Sequence, residues 1–453
     1  MSPRKPYSRR AFLHLGAVTL AGAAGCTGRG ETNTSTPTPL VDTPAPAVGA
    51  TATDETETQL FVEDDCELDE TEFDDPLAVG FDSRHRLGCQ GLLFDDFNDL
   101  GRWGTYDGSI DVGTPRVAGG YAAQLSASAD DQRAWVYRRF DEGIDLSEYD
   151  LSLGVHSGTG STRVEQVRLQ LLAPDRHNRV DMWQPINGVK GWTRLDFGPT
   201  EEFGSPDLTD VREIRFQTWV GQGSEGVCTI DELRVTPKLD EGGVILTFDD
   251  IALSQYEKAF PIMQEYGYPG VAGAIPWLSE DADRIDVERL TEMQEAGWDI
   301  VSHPQAPHPL PSYSAAEQEG LICETKQWLI DNGFESGSRF IIFPYGKADE
   351  TTLDLSAKYH HLGFLGGRGA SGLITGPMTV SRVNGDDLET TDHILRMAKK
   401  YRQIAVVMFH TLDGGGSRIT SAEFRKTMER IDELGLRVLT ASDLWKMQPA
   451  VAE

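Results

Sequence analysis

The sequence predicts an α/β fold, repeated β-α units making a parallel sheet that is open or closed into a barrel, preceded by a separate all-β sandwich. Three observations predict it. The chain has 453 residues, room for two ordinary domains plus extensions. From residue 242 onward, apolar runs alternate with helical stretches that start after Ser or Asp and end at Gly. Between residues 89 and 238, short apolar runs are separated by Gly, Asp and Asn, and no long helical period appears.

Residues 1–25 read as an export signal. "SRRAFLHLGAVTLAGAAGC" holds a twin-arginine pattern, Ser8 to Leu13, and an apolar stretch too short to span a bilayer comfortably. "AAGC" resembles a lipobox, which would make Cys26 the lipidated first residue of the mature protein. The expectation is a protein exported folded by the twin-arginine route and lipid-anchored on the outer face of the cell membrane. Residues 26–88 are a Thr/Pro-rich acidic tether with too little apolar content to bury a core.

Residues 89–238 form the predicted sandwich, with strand candidates "AWVYRRF", "VRLQLLA", "IRFQTWV" and "CTIDELRVT". Their order looks like the jelly-roll modules attached to carbohydrate-active enzymes. Trp103, Trp135, Trp183, Trp192 and Trp219 either stack on sugar rings or pack the core. Asp95, Asp96 and Asp231, near the first and last strands, are candidate ligands of a structural calcium.

Residues 239–448 hold the β-α units. The strand candidates are "GVILTF", "GVAGAI", "WDIVS", "RFIIF", "MTVSRV", "IAVVMF" and "LRVLT". Helical stretches between them include "LSQYEKAFPIMQEYG" and "SAAEQEGLICETKQWLIDNG".

Net charge is −31. Residues 1–29 carry five basic side chains and no acidic ones, and residues 30–83 carry fifteen acidic ones and no Lys or Arg. The remainder, with 36 basic and 57 acidic residues, is still at −21. Arg (30) outnumbers Lys (11), and an acidic, Lys-poor exported protein resembles those of salt-loving archaea. Nucleic acid is excluded as a partner, because its phosphates would be repelled. Among the five cysteines there is no CxxC pair, and Cys66 with Cys89 is a candidate clasp whose connectivity stays open.

The chemistry gathers where apolar runs end. "VILTFDD" ends in Asp249 and Asp250, "WDIVSH" in His303, "RFIIFPYG" in Pro344, Tyr345 and Gly346, and "IAVVMFH" in His410. His308 follows His303 in a loop braced by Pro304, Pro307 and Pro309, which cannot be helical. Two histidines and a carboxylate make a catalytic metal set with positions left open. Adjacent aspartates at a strand end point in different directions, so one can bind metal while the other takes a proton from water. His410 is the candidate acid for the leaving group. His360, His361 and His393 lack such partners and read as surface or packing residues.

"TFDD", "SHPQAPH", "FPYG" and "MFH" resemble, in order and approximate spacing, the motifs of the polysaccharide deacetylase family, carbohydrate esterase family four. The resemblance runs from about residue 242 to 447. It implies a distorted (β/α) barrel and metal-dependent removal of acetyl groups from a glycan. Carried over by position, Asp249 matches the general base, and Asp250, His303 and His308 match the zinc ligands. Tyr345 matches the residue whose backbone N–H stabilises the oxyanion, and His410 the general acid. Three positions depart from the common pattern. The histidines are five apart, Ile342 stands where many members have an arginine, and Ile251 follows the aspartates in place of glycine. The spacing and the missing arginine look like the branch acting on exported poly-N-acetylglucosamine. Arg382, in "TVSRVNGDD", is the candidate substitute for that arginine.

The leading expectation is therefore a lipid-anchored, metal-dependent deacetylase of an N-acetylated polysaccharide. An O-acetyl esterase acting on xylan-like polymers uses the same site. A non-catalytic glycan-binding surface lipoprotein is the reading from a different class.

Overall fold

Alternating apolar and polar residues between Leu92 and Pro237 fold into two antiparallel sheets. The computed structural model describes residues 61, 75–79 and 87–449, apart from breaks at 115–116, 118–119, 158–165, 187–188, 190, 305–307 and 415–418. The export signal, Cys26, Cys66 and nearly all of the tether lie outside the described residues. The chain divides into two units, Met1–Gln59 and Leu60–Glu453, and all that follows concerns the second.

In chain order the strands are β1 (Leu92–Asp95), β2 (Gly104–Asp107), β3 (Ser109–Gly113), β4 (Ala122–Ala127), β5 (Arg133–Ile144) and β6 (Tyr149–Ser157). They continue as β7 (Gln166–Asp175), β8 (Asn178–Pro185), β9 (Gly191–Phe197), β10 (Glu201–Phe203), β11 (Val211–Trp219) and β12 (Gly226–Pro237). One sheet runs β3-β4-β12-β6-β9 with β1 on β12, and the other β10-β8-β7-β11-β5-β2. Period-two alternation turns Val136, Leu169, Val180, Ile214 and Phe216 of the second sheet inward, each at most 1% exposed. Trp103 packs in this core, whereas Trp135, Trp183 and Trp219 lie on the second sheet's other face.

The calcium candidates are engaged by protein donors. Asp95 accepts from Trp103 Nε1 at 2.9 Å and Arg138 Nη1 at 2.7 Å, Asp96 from Asn98, and Asp231 from the Val117 backbone at 2.8 Å. Among the described residues, no group of three or more His, Cys, Asp or Glu is arranged to hold a metal ion.

The β-α units begin at β13 (Gly243–Phe248), followed by β14 (Val271–Ala274), β15 (Asp299–Ser302), β16 (Phe340–Ile342), β17 (Leu362–Gly366), β18 (Val380–Asn384), β19 (Ile404–Phe409) and β20 (Arg437–Leu439). The sheet is closed. β13 pairs in parallel with both β14 and β19, so β13 to β19 form a seven-stranded ring, and β20 adds outside it on β13. β17 was not among the predicted strands. The helices are α1 (Phe260–Tyr266), α2 (Val287–Glu295), α3 (Ala315–Asp331), α4 (Glu350–Tyr359), α5 (Leu388–Tyr401), α6 (Ser421–Leu434) and α7 (Ala441–Lys446). Capping boxes start α3 (Ser314 with Glu317) and α6 (Thr420 with Glu423), where side chains satisfy the first free N–H groups.

Sandwich and barrel share contacts rather than standing apart. Asp196 at the end of β9 accepts from Thr375 N and Gly376 N, both at 3.1 Å, and Gln403 donates to the buried Asp150 at 2.8 Å. One apolar cluster runs from Leu153 and Phe197 of the sandwich to Met378 and Tyr401 of the barrel.

His360 and His361 are buried, at 0% and 7% exposure, and His361 stacks on Trp445 with ring centroids 4.2 Å apart. Burial, with help from Arg339 and Lys326, pulls the His361 pKa down to about 3, and burial holds His360 well below the usual value. A depressed folded pKa means that below pH ~6.5 the unfolded chain takes up a proton the folded chain refuses. This stabilisation is complete above pH 6.5 and is lost as pH falls toward 3. Urea unfolding of His361→Phe should therefore show a shallower loss than wild type between pH 6.5 and 5, a difference of about 2 kcal/mol at pH 5. Parallel curves for the two proteins would remove His361 from the acid response.

Candidate active site

Parallel strands deliver their C-terminal ends to one rim. β13 brings Asp249 and Asp250 there, β15 brings His303, β16 leads into Pro344 and Tyr345, and β19 ends at His410. The two aspartates receive opposite partners.

Asp249 is 4% exposed and faces Arg382 of β18, 3% exposed, inside the ring. Arg382 Nη1 donates to Asp249 Oδ1 at 2.7 Å and Nη2 to Oδ2 at 3.1 Å, a bidentate pair that fixes the plane of the carboxylate. Nη1 also reaches Thr247 Oγ1 at 3.3 Å.

Asp250 turns the other way, its Oδ1 lying 3.3 Å from His303 Nε2. His303 Nδ1 is 2.9 Å from the carbonyl oxygen of Ile342. A carbonyl only accepts, so Nδ1 carries the proton, and a neutral ring then turns the Nε2 lone pair toward the carboxylate. Two acceptors at that distance need a cation between them, either a proton or a metal. Without metal, burial depresses the His303 pKa, but Asp250 and Asp249 outweigh it and the net shift is upward. For Asp250 burial works upward, and His303, His410 and Arg284 outweigh it, so the carboxyl is held below its usual value.

The backbone at this strand end is strained. Asp250 has φ +71° and Ile251 φ +44°, and the left-handed region is costly for a β-branched residue. Neighbours hold it there. Ile285 N donates to Ile251 O at 2.8 Å, Leu253 N to Asp283 O at 3.0 Å, and Arg284 Nη1 to Asp250 O at 3.3 Å. Gln255, fully buried in a π-turn ahead of α1, donates its amide to the carbonyls of Asp249 and, at 2.6 Å, His410. It ties the ends of β13 and β19 together.

Tyr345 is 58% exposed with φ +60° in the short turn Pro344–Gly346. Partial burial and the proximity of Tyr313 and the Asp250 charge raise its phenol pKa. His410 is half-buried at the end of β19. His308 is exposed and lies beside Tyr313, with ring centroids 6.4 Å apart. Asp250 and His303 thus meet, and among the described residues His308 does not complete a three-donor group with them. The chemistry of the pair fits a divalent cation, since it offers an ionised carboxylate and an imidazole nitrogen whose tautomer is fixed.

Gln255, Arg284 and Thr247 are support residues that the sequence reading did not single out. Thr247 lies within "TFDD", while Gln255 and Arg284 carry no signal beyond their place in polar stretches.

The polysaccharide deacetylase family model matches residues 236–362, which include Asp249, Asp250, His303, His308 and Tyr345 but not Arg382 or His410. A putative polysaccharide deacetylase of Bacillus subtilis (strain 168), YxkH, is 28% identical over 121 residues, 27% of this chain and 43% of that protein. The chain thus spans less than half the length of this curated relative. Among solved structures, the Streptococcus pyogenes deacetylase PplD in complex with acetate shares 25% identity, covering 31% of this chain and 62% of that one, with a TM-score of 0.29. A family 4 carbohydrate esterase from Streptomyces lividans in complex with acetate shares 16% identity, covering 43% of this chain and 91% of that one, with a TM-score of 0.31. Over residues 236–362 the chain is thus similar to polysaccharide deacetylases.

Proposed function

We propose that the barrel is a divalent-metal-dependent hydrolase, zinc being the preferred ion, that removes N-acetyl groups from an extracellular polysaccharide. The observation that carries this reading is the split between two consecutive carboxylates, Asp249 on an arginine and Asp250 on a histidine. One strand end thereby separates proton transfer from cation binding.

In this reading Asp250, His303 and His308 hold the ion, which supplies Lewis acidity at the acetyl group when bound. Asp249 takes the proton of the attacking water. Each of its oxygens keeps a lone pair after bonding Arg382, so the guanidinium aims the base without consuming it. Tyr345, with its left-handed φ of +60°, is the residue whose backbone N–H would meet the developing oxyanion. His410 gives a proton to the leaving nitrogen as the C–N bond breaks, releasing acetate and a free amine. Gln255 fixes the strand ends that carry this acid and this base.

Acetate release measured at high salt from N-acetylglucosamine oligomers and from acetylated xylan tests the assignment. Release from the amide substrate should stop with chelator and return with zinc. His410→Ala should keep its metal and slow amide cleavage by about 10² to 10⁴, with a smaller loss on esters, whose alkoxide leaves with less help. Turnover of xylan acetate alone would make the protein an O-acetyl esterase, and no release from either substrate would leave a non-catalytic glycan binder.

A further inference from the structure

Two buried aspartates tie the sandwich to the barrel, and their partners differ. Asp196 of β9 accepts on Oδ1 from the Thr375 hydroxyl at 2.5 Å and on Oδ2 from Gly376 N at 3.1 Å, with Thr375 N at 3.1 Å from both oxygens. Donors on both oxygens suit a carboxylate ion. Asp150 of β6 has a donor on one oxygen only. Gln403 Nε2 donates to its Oδ1 at 2.8 Å, while its Oδ2 has no partner. Gly372 closes that side, where an added Cβ would sit 2.1 Å from Oδ2.

An ionised Asp150, in a residue 7% exposed, would leave part of its charge buried without a donor. Gln403, 0% exposed, has the matching fault, because its buried Oε1 also lacks a partner. Both orphans are acceptors, and they belong to two groups already joined through their other ends. A carboxyl group differs from a carboxylate in carrying one O–H donor. One proton on Asp150 therefore supplies the donor that the pair lacks, and an acid and an amide can bond through both ends. Turning the Gln403 amide over would set oxygen against oxygen and still require that proton.

The charges around Asp150 do not replace the proton. Lys238, just past β12, gives its Nζ to Ser147 O at 2.9 Å. Arg402, at the end of α5, pairs with Glu148 at 2.7 Å. Asp196 adds a second negative charge from β9. Burial raises the Asp150 pKa, with help from Asp196 and against Lys238, Gln403 and Arg402, to about 7.

We infer that Asp150 is held as a neutral acid that bonds Gln403 through both ends, so that the joint between sandwich and barrel depends on a proton. The inference stands whether or not the barrel is a deacetylase. A carboxyl whose folded pKa is raised stabilises the fold fully below its unfolded pKa of ~4, and that stabilisation is lost as pH rises through about 7.

Urea unfolding of the full chain tests it, with wild type beside Asp150→Asn, whose amide is neutral at every pH and can bond Gln403 in the same two ways. From pH ~5 to pH ~8.5 the wild-type unfolding constant should rise about 100-fold more than that of the variant. Infrared spectra at pH ~6 should show a protonated-carboxyl band in wild type that titrates away toward pH ~8.5 and is missing from Asp150→Asn. Gln403→Leu keeps the acid and removes its partner, so it should move that band to higher frequency. Parallel unfolding curves, a carboxyl band that Asp150→Asn retains, or a band that Gln403→Leu leaves in place would each overturn the inference.

Discussion

His303→Ala is expected to leave the purified protein without bound divalent metal and without measurable acetate release. His303 is 4% exposed, its Nδ1 is fixed by the Ile342 carbonyl, and its Nε2 is aimed at Asp250. Removing the ring leaves Asp250 and the exposed His308 as donors, and two ligands on separate segments hold an ion poorly. The half-buried Asp250 carboxylate also loses a partner that holds its pKa below the usual value. His303→Gln separates chemistry from packing, because its amide fills the space without a nitrogen lone pair. Both variants should fold by circular dichroism and carry no zinc by mass spectrometry. Full zinc occupancy with a wild-type rate in His303→Ala would sink the ligand assignment. A folded, metal-loaded but inactive His303→Ala would move His303 to an orienting role.

The legibility of this fold follows from which residues the packing allowed. Most ring strands announce themselves as apolar runs, since both faces of a parallel strand are buried. β17 does not. Its Gly363 lies against the Phe343 ring, where an added Cβ would sit 2.6 Å away, so packing imposes glycine and erases the apolar signal. The closed ring likewise needs the β13–β14 pairing, which no local pattern states.

The site shows the same split. Asp249, Asp250, His303, Tyr345 and His410 are readable because each follows an apolar run. Ile251 reads as a departure at a glycine position, yet its backbone adopts φ +44°, held there by bonds from Ile285 and Leu253. Gln255 acts through main-chain carbonyls of two distant strands, a role with no sequence signature. The contacts joining sandwich to barrel, such as Asp196 with Thr375, depend on residues 179 apart in sequence, and pattern reading cannot pair them.

Arg382→Met should cost about 3 to 5 kcal/mol of stability, the usual penalty for leaving a buried charge without its partner. Activity should fall with it, because Asp249 then has no bidentate donor to aim its lone pair at the substrate water. The two effects can be pulled apart. Asp249→Leu with Arg382→Met removes both charges, so the buried penalty disappears and much of the stability should return. Activity should not return, since the base itself is gone. Arg382→Lys keeps the charge but not the planar fork, and should retain more stability than activity. Chemical unfolding measured beside acetate release decides the matter. If Arg382→Met keeps the wild-type rate, or if the double variant is no more stable than the single one, Asp249 is not positioned by this pair.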